Sequence, residues 1–116
     1  MTALPKDFKL IKKSDFLNVY NSNARAIKTK HFIFLVKDNT QQKTRLGVVV
    51  RKKIFKQAVK RNYIRRVMNS LFIQDQKDVG HIDIVTILSR PIKLNFEEIK
   101  QDWKLFLRKL ILSDKK

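Results

Sequence analysis

The stretch RLGVVVRKKIFKQAVKRNYIRR, residues 45–66, decides how this chain is read. Its opening, within residues 44–51 (TRLGVVVR), is β-branched and bounded by polar residues, which predicts a strand. From Lys56 to about Ile73 the apolar residues recur at helical spacing. On a helical wheel Tyr63, Ile64, Val67, Met68 and Leu71 share one arc, and Arg61, Asn62, Arg65, Arg66 and Asn69 share the opposite one. Phe72 falls outside the apolar arc, and Lys60 falls inside it but in the first turn, where its stem can snorkel. Strand followed by two-faced helix means that this segment carries both a core and a cationic surface.

Working outward, residues 31–37 (HFIFLVK) read as a strand, and the polar turn at 38–43 makes them the expected hairpin partner of residues 44–51. Residues 83–89 (DIVTILS) read as a third strand, ended by Arg90-Pro91. Ser14 can cap a short helix reaching Tyr20, with Phe16, Val19 and Tyr20 on one face. In the last helix Asn95 is an N-cap, Glu98 can close a capping box, and Leu94 and Ile99 occupy the staple positions. There Phe96, Ile99, Trp103, Phe106 and Leu110 recur on one face, which core packing explains. The order helix, strand, strand, helix, strand, helix describes an α/β (α+β) two-layer sandwich with a small sheet. No linker or repeat divides residues 1–116, so one domain is expected.

Composition narrows the function. The 116 residues carry 27 Lys+Arg against 10 Asp+Glu, a net charge of +17. Such self-repulsion calls for a polyanionic partner, and nucleic acid is the first candidate because each neutralised phosphate releases a counterion. An anionic membrane normally needs a basic helix with a free apolar face. No apolar run approaches the roughly 20 residues of a spanning helix, and no signal peptide is visible, so a cytoplasmic protein is expected. The absence of Cys excludes disulfides, thiolate metal sites and cysteine nucleophiles. Two glycines, Gly47 and Gly80, cannot build a Gly-rich phosphate loop. No Ser–His–Asp set is apparent, and no carboxylate cluster stands in the basic region to hold a metal.

The charge is local. No acidic residue lies between Asp38 and Asp75, whereas the part from Asp75 onward is nearly balanced. Arg51, Lys52, Lys53, Lys56, Lys60, Arg61, Arg65 and Arg66 crowd into sixteen positions. An ordinary surface helix interleaves signs; this one does not. Arginine forks suit phosphates and base edges, and Asn62 and Asn69 cost helix propensity unless they make hydrogen bonds. The strand Phe32–Val36 is apolar on both faces, so either both sides are covered or one is open to stacked bases. Phe16 and Tyr20 could line a groove beside it, with core packing as the alternative.

Residues 45–66 resemble the signature of the bacterial ribonuclease P protein family: a strand R-x-G-x-x-V, a Lys pair (Lys52, Lys53), an Ala-containing turn (Ala58) and an R-N-R helix beginning at Arg61-Asn62. The likeness extends to Lys12-Lys13-x-x-Phe16-x-x-Val19-Tyr20, to residues 83–91 and to the closing helix. Tyr63 stands where the motif has its second Arg, Asn69 where a further Arg is common, Arg51 in place of a frequent Ser or Ala, and Leu35 at a cleft position that is often aromatic. The resemblance implies a small, mainly antiparallel sheet in an α-β-β-(β)-α-β-α order, with an optional further strand before the motif helix, and a left-handed β-α-β crossover. It implies a subunit of a tRNA 5′-processing endoribonuclease whose hydrolysis belongs to the RNA and its Mg2+, so no cofactor motif and no catalytic residue are expected in the protein. The implied partners are the ribonuclease P catalytic RNA and precursor tRNA with its 5′ leader, with no membrane and no obligate protein partner. By position, Arg51, Lys52, Lys53, Lys56, Lys60, Arg61, Asn62, Arg65 and Arg66 would contact RNA, and Phe16, Tyr20 and Leu35 would line the leader cleft. A structural RNA-binding protein of the ribosome is the alternative from charge and size, and a DNA-binding module comes last.

Overall fold

The computed structural model describes Val19 and residues 24–38, 44–76 and 81–114. Within them the order is β1 (Arg25–Lys28), β2 (Phe32–Asp38), β3 (Arg45–Val49), α1 (Ala58–Asp75), β4 (Ile82–Leu88) and α2 (Phe96–Asp114). The helix expected at residues 14–20 lies outside the described residues apart from Val19, as does most of the turn expected at 38–43.

The four strands form one mixed sheet in the order β1-β2-β4-β3. β2 is antiparallel to both β1 and β4, and β3 runs parallel to β4. The expected hairpin between residues 31–37 and 44–51 is therefore not formed: β4 lies between them. The partner of β2 on its other side is β1, which takes the place of the optional further strand before the motif helix. Thr29 N–H donates to Phe32 O at 2.9 Å and closes the tight β1–β2 turn. Parallel neighbours need a long crossover connection, and α1 is that crossover.

Alternation along each strand sorts the side chains. Phe32, Phe34 and Val36 of β2 join Leu46, Ile82, Ile84 and Leu88 in the main core with both helices. α1 contributes Ile64, Val67, Met68, Leu71 and Phe72, and α2 contributes Ile99, Trp103, Phe106, Leu107 and Leu110. Phe34 stacks on Phe106 with centroids 4.2 Å apart, and Trp103 meets Phe72 edge-on at 6.4 Å. Phe72 is buried although it lies off the apolar arc of α1, because α2 covers that flank. Phe96 departs in the other direction: it is 38% exposed rather than packed with Ile99 and Trp103.

On the opposite face Val19, in helical backbone, is fully buried with Val85 and Ile87, and Leu35 and Val49 pack against them. All seven residues of β4 are buried, as expected of a central strand covered on both sides. Arg45 grips Asp83 across the β3–β4 pair through two bonds, Nε–Oδ1 at 2.9 Å and Nη2–Oδ2 at 2.8 Å. Removing one partner of a buried fork would strand the other's charge.

α2 starts as its signals require, with half of the capping box made. Glu98 N–H donates to Asn95 Oδ1 at 2.8 Å, while Asn95 N–H is taken by Lys93 O at 2.9 Å rather than by Glu98. Three polar ties then fix the helix layer to the sheet and to itself. His31 N–H and Nδ1 both meet Asp102 Oδ2, at 2.9 and 3.1 Å. Trp103 Nε1 donates to Asp75 Oδ2 at 2.8 Å, and Lys104 Nζ reaches the same oxygen at 3.1 Å.

Phe34 touches the sheet, α2 and the Trp103 cluster at once, so its loss leaves a cavity that no single neighbour can fill. Phe34→Ala is expected to lower the unfolding free energy by about 3–5 kcal/mol in a urea titration. A loss below about 1 kcal/mol would show that this stack does not hold the two layers together.

Candidate nucleic-acid interface

The connection from β3 to α1 is pinned from inside and charged outside. Val50 is buried, and Ile54 and Phe55 pack partly on the main core. Ile54 N–H and Phe55 N–H both donate to Arg51 O, at 3.1 and 3.2 Å, which curls the loop. With its apolar residues turned in, Arg51, Lys52, Lys53 and Lys56 are left exposed.

α1 continues this surface. Gln57 at its N-cap makes no side-chain capping bond, and the first turn holds no acidic residue. The positive end of the helix dipole thus faces the same solvent as Lys56 and Lys60. Asn62 and Arg66 are exposed, and Arg61, Arg65 and Asn69 are half-buried. Among the described residues, no carboxylate pairs with any cation between Arg51 and Arg66. Their employment differs, however. Arg61 Nη1 donates to Phe55 O at 3.0 Å and Lys56 O at 2.9 Å, so its guanidinium braces the loop. Arg65 Nη1 donates to Asn62 Oδ1 at 3.2 Å, which orders both side chains one turn apart. Tyr63 turns inward and packs on the main core, as the wheel predicts.

Beside the loop, where Ile33 and its partner Ile87 face away from α1 and α2, lies a groove of ≈ 290 Å³. Ile33, Ile54, Ile87, Leu88 and Pro91 supply apolar lining, and Arg51, Lys53 and Ser89 supply polar groups. Apolar surface bordered by cations can take an unstacked base and its phosphate together. The structure thus brings Arg51 and Lys53 to the groove and strings Lys56, Lys60, Asn62, Arg65 and Arg66 along the loop and α1. Leu35 faces the same side of the sheet but packs with Val85 and Ile87 around Val19. Phe16 and Tyr20 lie outside the described residues.

Sequence reasoning missed the lining of the groove and one residue of the cationic turn. Ile33 comes from β2, Ile87 from β4, and Ser89 and Pro91 from the segment just after β4, and the β2–β4 register brings them to the groove together. Val59, 74% exposed between Lys56 and Lys60, is an apolar residue on the cationic turn. Its exposure could have been read from the wheel, where it lies away from the core arc.

Ser89, His31 and Asp102 are neighbours, yet they do not form a nucleophilic set. Ser89 Oγ donates to the His31 carbonyl at 3.0 Å, not to the imidazole. His31 and Asp102 therefore serve as a tie between turn and helix. Among the described residues no three His, Cys, Asp or Glu side chains gather as a metal site, and no helix is long and apolar enough to cross a membrane.

Comparison with known proteins bears on the family and the fold. A family model described as Ribonuclease P matches residues 4–111. The ribonuclease P protein component of Pseudoalteromonas translucida is 35% identical over 103 residues, covering 87% of this chain and 73% of the relative. That of Legionella pneumophila is 38% identical over 91 residues, covering 78% and 76%. Among solved structures, the Staphylococcus aureus RNase P protein superposes with a TM-score of 0.78 at 24% identity, covering 87% of this chain and 93% of that one. The Thermotoga maritima RNase P protein gives 0.74 at 24% identity, covering 87% and 96%. Those two likenesses concern the fold, whereas the model match and the sequence relatives concern descent, and by them this chain belongs to the ribonuclease P protein family.

Proposed function

We propose that the chain is the protein subunit of the ribonucleoprotein ribonuclease P, which binds the catalytic RNA and the 5′ leader of precursor tRNA and so assists removal of the leader. The observation that carries this reading is the row of cations on the loop and α1, without carboxylate partners among the described residues, beside an apolar groove. Cations on a rigid support neutralise phosphates and release counterions, which suits a structured RNA. The groove suits unpaired nucleotides, whose exposed bases can stack or pack on apolar side chains. Arg51 and Lys53 border it, so one segment of single strand can be held by base and phosphate at once.

The protein's part is electrostatic and positional. Mg2+ and the hydrolytic step belong to the RNA in this reading. Phosphodiester cleavage by the protein itself would call for metal-holding carboxylates among the RNA contacts, and the sequence has none between Asp38 and Asp75.

Reconstitution tests the reading directly. At low magnesium, adding the protein to the catalytic RNA is expected to raise both cleavage of a leader-bearing precursor and affinity for it. No gain in either would reject the reading.

The two arginines at the ends of the motif are expected to separate. Arg66→Ala should flatten the salt dependence of RNA binding by about one unit of slope or less and leave the melting temperature unchanged. Arg61→Ala should also lower stability, by about 1 kcal/mol, because Phe55 O and Lys56 O lose their donor. Identical melting curves for the two variants would show that the Arg61 brace contributes nothing to the fold.

A further inference from the structure

The outward face of α2 carries cations that the interface above does not use. Lys100, Lys104 and Arg108 are spaced four residues apart, so they stand in a row with about 5–6 Å between successive Cβ atoms. A shallow groove of ≈ 260 Å³ follows this row, lined also by Glu97, Gln101 and Leu105. Two of the cations are held in place. Lys104 Nζ lies 3.1 Å from Asp75 Oδ2, and Lys100 Nζ stands 5.8 Å from the centroid of the partly exposed Phe96 ring. Arg108 is exposed and has no carboxylate partner among the described residues. The row cannot rotate inward, because Ile99, Trp103, Phe106 and Leu110 anchor the other side of the helix in the core.

We infer that this face is a second RNA-contact surface, on which a phosphate backbone lies along Lys100, Lys104 and Arg108. The chemistry favours nucleic acid over other anionic partners. A protein interface needs an apolar centre depleted of charge, and here Leu105 is the one apolar residue in a lining of charged and amide groups. A membrane surface needs a free apolar helix face, and that of α2 is spent on the core. A phosphate strand needs only spaced donors with room between them. The inference rests on the reading of the protein as an RNA-binding subunit and adds to it a contact on a separate helix. The RNA would then be held by α2 as well as by the loop and α1.

The test measures affinity for the ribonuclease P catalytic RNA as a function of salt for four proteins: wild type, K100Q/R108Q, Q101E and R66A. Lys104 is left in place because it completes the partners of Asp75. K100Q/R108Q is expected to flatten the slope of log affinity against log salt by about one to two units, at an unchanged melting temperature. Q101E adds a carboxylate to the middle of the row and is expected to weaken binding without disturbing any contact of the fold. If R66A flattens the slope while K100Q/R108Q and Q101E both match wild type, the α2 surface is overturned and the subunit reading stands. If none of the three variants differs from wild type, both fail. Binding of anionic vesicles that K100Q/R108Q abolishes, with RNA affinity unchanged, would assign the face to a membrane and also overturn the inference.

Discussion

β3 runs parallel to its neighbour β4, and most of what this molecule does follows from that pairing. Two parallel strands cannot be joined by a tight turn, so the chain must leave the end of β3, travel back over the sheet and re-enter beside it. Residues 50–81 make that journey, and they contain the densest cationic segment of the chain. The crossover is thus a structural necessity that also serves as a display. Its apolar residues, from Val50 and Ile54 through Ile64, Val67, Met68 and Leu71, close the core over β3 and β4. Its remaining face is exposed or half-buried and carries the charge.

A net charge of +17 makes this arrangement costly, because the cations of the loop and α1 repel one another with no carboxylate paired to them among the described residues. The core supplies the opposing term through the Phe34, Phe106 and Trp103 aromatic cluster and the fully buried β4. Arginine is used in three distinct ways within twenty-two residues. Arg45 is a fastener on Asp83, Arg61 braces the loop carbonyls, and Arg66 is left for solvent. Only the last is wholly available to a partner. Three carboxylates outside this segment are similarly committed, with Asp75, Asp83 and Asp102 each holding a donor from another part of the fold.

Strong local signals were legible in the sequence. The two-faced period of α1, the Asn95 cap and the β-branched content of β2, β3 and β4 each place an element within one or two residues of where it lies. Pairing was not legible, because it is a choice among distant partners. A polar turn between two apolar runs reads as a hairpin, yet β4 offers β2 a fully buried neighbour and takes the place that adjacency suggested for β3. The further strand that the resemblance allowed could not be placed from its residues, because RAIK has one inward residue, Ile27, and two charges typical of a protected edge. Phe72 was misjudged for a similar reason: a wheel records one helix, and its burial comes from Trp103 of another. The cationic residues were all visible in the chain. The groove was not, since Ile33, Ile54 and Ser89 meet only after β2, β4 and the loop are assembled.

The central claim is that RNA is gripped at particular cationic faces, the crossover foremost and the α2 row beside it, rather than by the charge of the whole surface. Lysine acylation footprinting in the presence and absence of the catalytic RNA tests it most directly. The account predicts that bound RNA shields Lys52, Lys53, Lys56 and Lys60, while Lys28 and Lys109 at the β1 edge of the sheet keep their free reactivity. Equal protection of all six, or protection confined to the β1 edge, would contradict it.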